Sequence, residues 1–144
     1  MTSTIDANIL LYASDGHSPL RDRALGFLGE LATDPSMVYL FWPALFSYLR
    51  ISTHPRVFRE PLSVDEALSN IHDLIDRPNV RTVGEGPRFW PRLNEVVADA
   101  RPTGNLFSDA HVVGLMLENG VRTIWTHDRD FRRFGGIQAR DPFA

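Results

Sequence analysis

The chain has 144 residues, among them no cysteine and no lysine, and no apolar run approaches the length needed to cross a membrane. Without cysteine there is no disulfide, no thiolate zinc site and no cysteine nucleophile, a composition compatible with a reducing cytosol. Without lysine, every mechanism that requires one is excluded. All 15 basic residues are therefore arginine; genomic base composition is the simpler explanation, although the planar guanidinium fork also suits phosphate. A formal net charge of -3 gives no overall basic field, so any contact with nucleic acid must come from local patches. No basic region precedes the first apolar residues, and Ile9-Leu10-Leu11 is too short for a signal sequence.

What is present is enough apolar material for a core. At 43% hydrophobic content the chain is expected to fold as one domain spanning residues 1–144, with no repeat, low-complexity tract or linker. Ser3-Thr4-Ile5 reads as a strand entering a helix that Asp6 can cap and that carries Ile9, Leu10 and Tyr12. Ser18 and Pro19 suit the N-cap and first position of a second helix, with Leu20, Ala24, Leu28 and Leu31 on one face and Asp34-Pro35 as its stop. Val38 to Phe41 is a buried strand ended by Pro43, and Leu45, Tyr48 and Leu49 mark the helix after it.

"SVDE", Ser63 to Glu66, is a capping box ahead of Ala67, Leu68, Ile71 and Ile75, and Val80 to Val83 forms the third strand. Pro87 and Pro91 suit the first turn of a helix through Leu93, Val96, Val97 and Ala100. Ser108 is read as the cap of "DAHVVGLMLENG", with Gly120 as a left-handed stop. Val121 to Trp125 is the fourth strand, and "DRDFRRFGG" a short helical turn closed by paired glycines. Strands alternating with helices imply an α/β fold: a mostly parallel sheet of four or five strands with helices on both faces.

In such a sheet the functional crevice lies at the carboxyl ends of the strands, where Asp6 and Asp128 fall. Asp109 opens the helix before the fourth strand, so its first turn lies near one edge or the other. Each acid alone has a structural excuse, because Asp at a helix start gains about 0.3–1 kcal/mol from the dipole. Brought together, two carboxylates about 5 Å apart repel by roughly 3 kcal/mol at an effective dielectric near 20. A cluster of them calls for a cation. With oxygen ligands only, that cation is Mg²⁺ or Mn²⁺, which favours phosphate substrates and phosphodiester hydrolysis.

"TIDANILLYA", "SDAHVVGLMLENG" and "TIWTHDRDFRRF", in this order and spacing, resemble a PIN domain of the VapC type, and the likeness covers nearly the whole chain. The resemblance implies a three-layer α/β/α sandwich and a metal-dependent endoribonuclease. It further implies a toxin neutralised by a VapB-type antitoxin, commonly homodimeric, cytoplasmic, and with no membrane role. Asp6, Asp109 and Asp128 match the family's catalytic, metal-binding acids, which hold one or two ions. Asp130 matches a further acid, and Asn8 and Thr126 match supporting polar residues. The family's usual glutamate after the second strand is replaced: "PALFSYLRIST" has Ser47 there, and no acid occurs between Asp34 and Glu60. The alternative is therefore a degenerate PIN module that binds RNA or a partner without cutting it.

His111 and His127 adjoin the acids and read as packing or surface residues rather than catalysts. Arg56 and Arg59 flank Phe58 in "THPRVFRE", which reads either as a phosphate-holding RNA contact or as a solvated loop anchored by its phenylalanine. Arg129, Arg132 and Arg133 either reach RNA or offset the carboxylates. Trp42, Trp90 and Trp125 are expected in the core. A phosphatase with an aspartyl nucleophile, or a phospho-receiver domain, fits badly: Asn8 stands where the former needs a second aspartate, and both usually need a lysine.

Overall fold

A computed structural model describes residues 1–144. Its elements run β1 (Ser3–Ile5), α1 (Ala7–Ser14), α2 (Arg21–Thr33), β2 (Val38–Phe41), α3 (Trp42–Ser52), α4 (Val64–Ile75), β3 (Val80–Val83), α5 (Phe89–Ala100), α6 (Leu106–Glu118), β4 (Thr123–Trp125), a short 3₁₀ helix (Arg129–Arg133) and β5 (Gln138–Arg140). The five strands form one sheet in the order β3-β2-β1-β4-β5, and every neighbouring pair is parallel. No helix is long and apolar enough to cross a membrane.

Side-chain alternation along the strands sorts the core into two halves. On β2, Val38 and Leu40 point into one cluster with residues of α1, α2, α3 and α4. Tyr39 and Phe41 point into the other, with residues of α5, α6 and the 3₁₀ helix. On β4, Ile124 joins the second cluster and Trp125 packs against the first. The result is a three-layer α/β/α sandwich. Burying one large aliphatic side chain contributes roughly 1.5–3 kcal/mol, so clusters of 17 and 11 buried residues can carry some unfavourable charge at the sheet's rim.

Several local readings are realised. Ser63 accepts a hydrogen bond from the Glu66 N–H while the Glu66 carboxylate accepts one from the Ser63 N–H, both at 3.1 Å. Gly120 takes a φ of 68°, in the left-handed region that favours glycine. Phe58 is 5% exposed and anchors its loop in the first cluster.

Others are corrected. The second helix starts at Arg21, after Ser18, whose hydroxyl accepts from the Leu20 N–H in a turn ahead of the helix. Helix α6 starts at Leu106, with Asn105 at its cap position, so Ser108 lies within its first turn. Strand β5 carries almost no sequence signal: of its three residues only Ala139 packs inward, which leaves no alternation. Two tryptophans lie outside the core. Trp90 is 69% exposed, one position off the stripe of Phe89, Leu93, Val96 and Ala100 that α5 turns to the second cluster. Trp42, 39% exposed, pairs on the outer face of α3 with Phe46 at 6.4 Å between ring centres.

Candidate active site

β1 and β4 are adjacent, yet the chain leaves β1 into α1 on one face of the sheet and leaves β4 into the 3₁₀ helix on the other. This is the switch point at which a parallel sheet opens a crevice beyond its carboxyl ends. Asp6 and Thr126 are the first residues past the two strands, and both extend the ladder: Asp6 N–H donates to the Trp125 carbonyl at 2.9 Å and Thr126 N–H to the Arg140 carbonyl at 2.8 Å.

The buried Thr126 hydroxyl ties the crevice together. It donates to Asp6 Oδ2 at 2.7 Å and accepts from the Asp128 N–H at 2.9 Å. Asp128 Oδ1 in turn accepts from the Asp130 N–H at 2.9 Å, starting the 3₁₀ helix. Helix α6 begins at the same edge as these residues and so brings Asp109, in its first turn, to them. Asp109, Asp128 and Asp130 each offer a carboxylate oxygen, and these oxygens lie within 4.8 Å of one another. Asp6 lies outside that tight triad; it lines, with Asp109 and Ser47, a cavity of about 120 Å³ next to it.

The charges are uncompensated, for none of the chain's ion pairs includes any of these four acids. Asp6 occupies the cap position of α1 without making a side-chain cap hydrogen bond. Burial raises its pKa, with the Asp128 charge adding to the rise and the Thr126 hydroxyl opposing it. Asp109 is pushed up to about 7, first by burial and then by Asp6, Asp128 and Asp130. Protonation or a cation relieves this repulsion, and a set of carboxylate oxygens with no sulfur or imidazole among them fits Mg²⁺ or Mn²⁺.

The supporting residues gather at the same place. Ser47 faces the small cavity, while Asn8, Thr126 and Asp128 line a second cavity of about 680 Å³ together with Arg129 and Arg132. Arg56 does not join them. Helix α3 leaves the site edge at Trp42 and runs 11 residues, about 16 Å, carrying residues 53–62 to the opposite end of the sheet. Glu60 there lies 3.5 Å from His17, beyond the far end of α1. The histidines have acid partners: His127 Nδ1 lies 2.8 Å from Asp141 Oδ2, and His111 contacts Glu85. Tyr12, which the sequence marks only as a residue of the first helix, and Asp141 also line the larger cavity. The i,i+4 spacing of Asn8 and Tyr12 signals a shared helix face, but Asp141 reaches the site only through the unforeseen β5.

The sequence pattern known as the PIN domain matches residues 4–137. The chain belongs to the PIN-domain family. Within it, the protein is of the VapC type: it is 44% identical over 144 residues to Ribonuclease VapC48 of Mycobacterium tuberculosis, covering 100% of this chain and 99% of the relative. It is also 33% identical to Ribonuclease VapC43 of the same organism over 140 residues, 96% of this chain and 93% of that one. Solved PIN folds agree in shape. The structure of VapBC2 from Rickettsia felis, bound to a promoter DNA fragment, superposes with a TM-score of 0.72 at 15% identity over 98% of both chains. That of the Mycobacterium tuberculosis sarcin-ricin loop cleaving toxin VapC20 gives 0.67 at 14% identity, over 94% of this chain and 98% of that one.

Proposed function

We infer that this PIN domain is a VapC-type endoribonuclease toxin, acting as one domain over 1–144 and hydrolysing RNA phosphodiester bonds with Mg²⁺ or Mn²⁺ at the crevice between β1 and β4. The observation that carries the reading is the triad of uncompensated carboxylates at that crevice, in a chain 44% identical over its full length to a VapC ribonuclease. Asp109, Asp128 and Asp130 would hold the ion, with Asp6 across the small cavity as the further acid and the ligand for a second ion. Such an ion neutralises charge on the phosphoryl oxygens and lowers the pKa of the attacking water.

The chain's own groups prepare the site. Thr126 fixes the Asp6 carboxylate and the Asp128 backbone through one hydroxyl, and the Asp130 N–H holds the Asp128 carboxylate, so both carboxylates keep their aim as substrate enters. Asp109, with a pKa pushed up to about 7, carries a proton part of the time at neutral pH and gives it up when a cation takes its place. Ser47 leaves the small cavity without the extra carboxylate common in the family, a weaker but still anionic site. Nothing observed favours the degenerate, non-cutting module. The Rickettsia felis VapBC2 structure supports a VapB-type antitoxin as partner, and we extend the reading to a cytoplasmic homodimer.

The test is cleavage of RNA by the purified chain with Mg²⁺ or Mn²⁺. Asp109→Asn and Asp6→Asn are each expected to abolish it, and undiminished cutting by both would remove the site.

A further inference from the structure

We propose that the cavity of about 680 Å³ beside the acids is a nucleotide subsite: Arg129 and Arg132 hold the RNA phosphate adjacent to the one cleaved, and the wall of Tyr12 and His127 takes that nucleotide's base. The proposal deepens the nuclease reading above and rests on it.

The 3₁₀ helix makes the arrangement possible. With about three residues per turn, positions i and i+3 lie one above the other, so the segment presents three distinct faces. Phe131 and Phe134 form the face buried in the core. Asp130 turns to the carboxylate triad. Arg129 and Arg132 form the third face, and both line the cavity. Had these arginines served to offset the neighbouring carboxylates, they would be paired with them. Neither takes part in any ion pair, although Asp128 and Asp141 line the same cavity. Two unpaired guanidinium groups on one wall are free to grip a phosphate by its oxygens.

The same cavity is lined by two aromatic rings that are held in place. Tyr12 meets His127 edge-on, with ring centres 6.0 Å apart, and both rings rest on the buried Phe143, at 6.0 and 5.3 Å. His127 is fixed by Asp141, whose other oxygen accepts from the Phe143 N–H at 2.8 Å. A pre-ordered aromatic surface is what an unstacked RNA base requires. Asp128 belongs to this cavity and to the triad alike, so a strand whose phosphate sits at the triad continues directly into it.

The experiment uses the full chain carrying Asp109→Asn, which blocks cutting, and a fluorescein-labelled single-stranded RNA 12-mer of mixed sequence followed by anisotropy in Mg²⁺. Adding Arg129→Ala and Arg132→Ala together is expected to raise Kd about tenfold or more and to make the dependence of log Kd on log salt shallower by about 0.7 per arginine. Tyr12→Leu is expected to weaken binding about fivefold or more while Tyr12→Phe stays within about twofold, as stacking requires. Arg81→Ala, on the far edge strand β3, serves as the control for charge alone. No binding by the parent, an unchanged Kd and salt slope in the double arginine variant, or an equal loss in the Arg81 control overturns the subsite. The two readings separate cleanly. Cleavage by the wild-type chain with KM unmoved by the arginine changes leaves the nuclease and removes the subsite; specific loss of RNA binding in a chain that never cuts removes the nuclease and keeps an RNA site.

Discussion

The starts of α4 and α6 both carry acids in their first turns and use them in opposite ways. At α4, Glu66 bonds the Ser63 N–H and the Ser63 hydroxyl bonds the Glu66 N–H; these bonds hold the Glu66 carboxyl below the usual carboxylate range. At α6, Asn105 makes no side-chain cap, and Asp109 is pushed up to about 7 by burial and three like charges. Both acids lie in the first turn, Glu66 third and Asp109 fourth from the helix start, but their environments differ. An acid that caps a helix is settled by local partners within three or four residues, whereas Asp109 answers to Asp6, Asp128 and Asp130, which reach it only through the fold.

The contrast is sharpened most by exchanging charge at the two sites. Asp109→Asn is expected to abolish RNA cleavage and, in metal-free protein at pH 8, to raise Tm, because it removes a half-buried repelling charge; a lowered Tm would mean the carboxylate is structurally favourable. Next in size, Thr126→Val should lower kcat about 10- to 100-fold with the fold intact by far-ultraviolet circular dichroism, as for other groups that orient ligating carboxylates. Wild-type activity in that variant would show that Asp6 and Asp128 need no shared anchor.

The pH dependence follows in sign from Asp109. Its folded pKa, about 7, lies above the ordinary aspartate value of about 3.9, so the native state binds the extra proton between those values and stability falls as pH rises through that window. Metal-free protein should therefore melt higher at pH 5 than at pH 8, and saturating Mn²⁺ should shrink the difference; a flat profile breaks the comparison. Smallest of all, Ser63→Ala should cost about 1 kcal/mol of stability in denaturant melts and leave kcat untouched.

What could be read from the chain follows the same division. The Ser63 box, the left-handed Gly120 and the anchoring Phe58 are set by neighbours in sequence, and each was legible. Alternation of strands and helices was enough to place Asp6 and Asp128 at one edge of a parallel sheet. The edge for Asp109 required the direction of α6, which only the assembled crossover supplies. Arg56 stands apart from the crevice for a related reason: local composition says nothing of the helix that carries it to the opposite end. Trp90 shows how finely the period must be known, since one residue of phase separates the core stripe of α5 from solvent.

The three faces of the Arg129–Arg133 segment also set its tolerance to changes in length. Deleting or inserting a single residue there would rotate the downstream residues by a third of a turn, turning an arginine toward the hydrophobic interior and Phe134 toward water. A three-residue change would restore the phase, so natural variants of this segment should differ in length by threes or not at all.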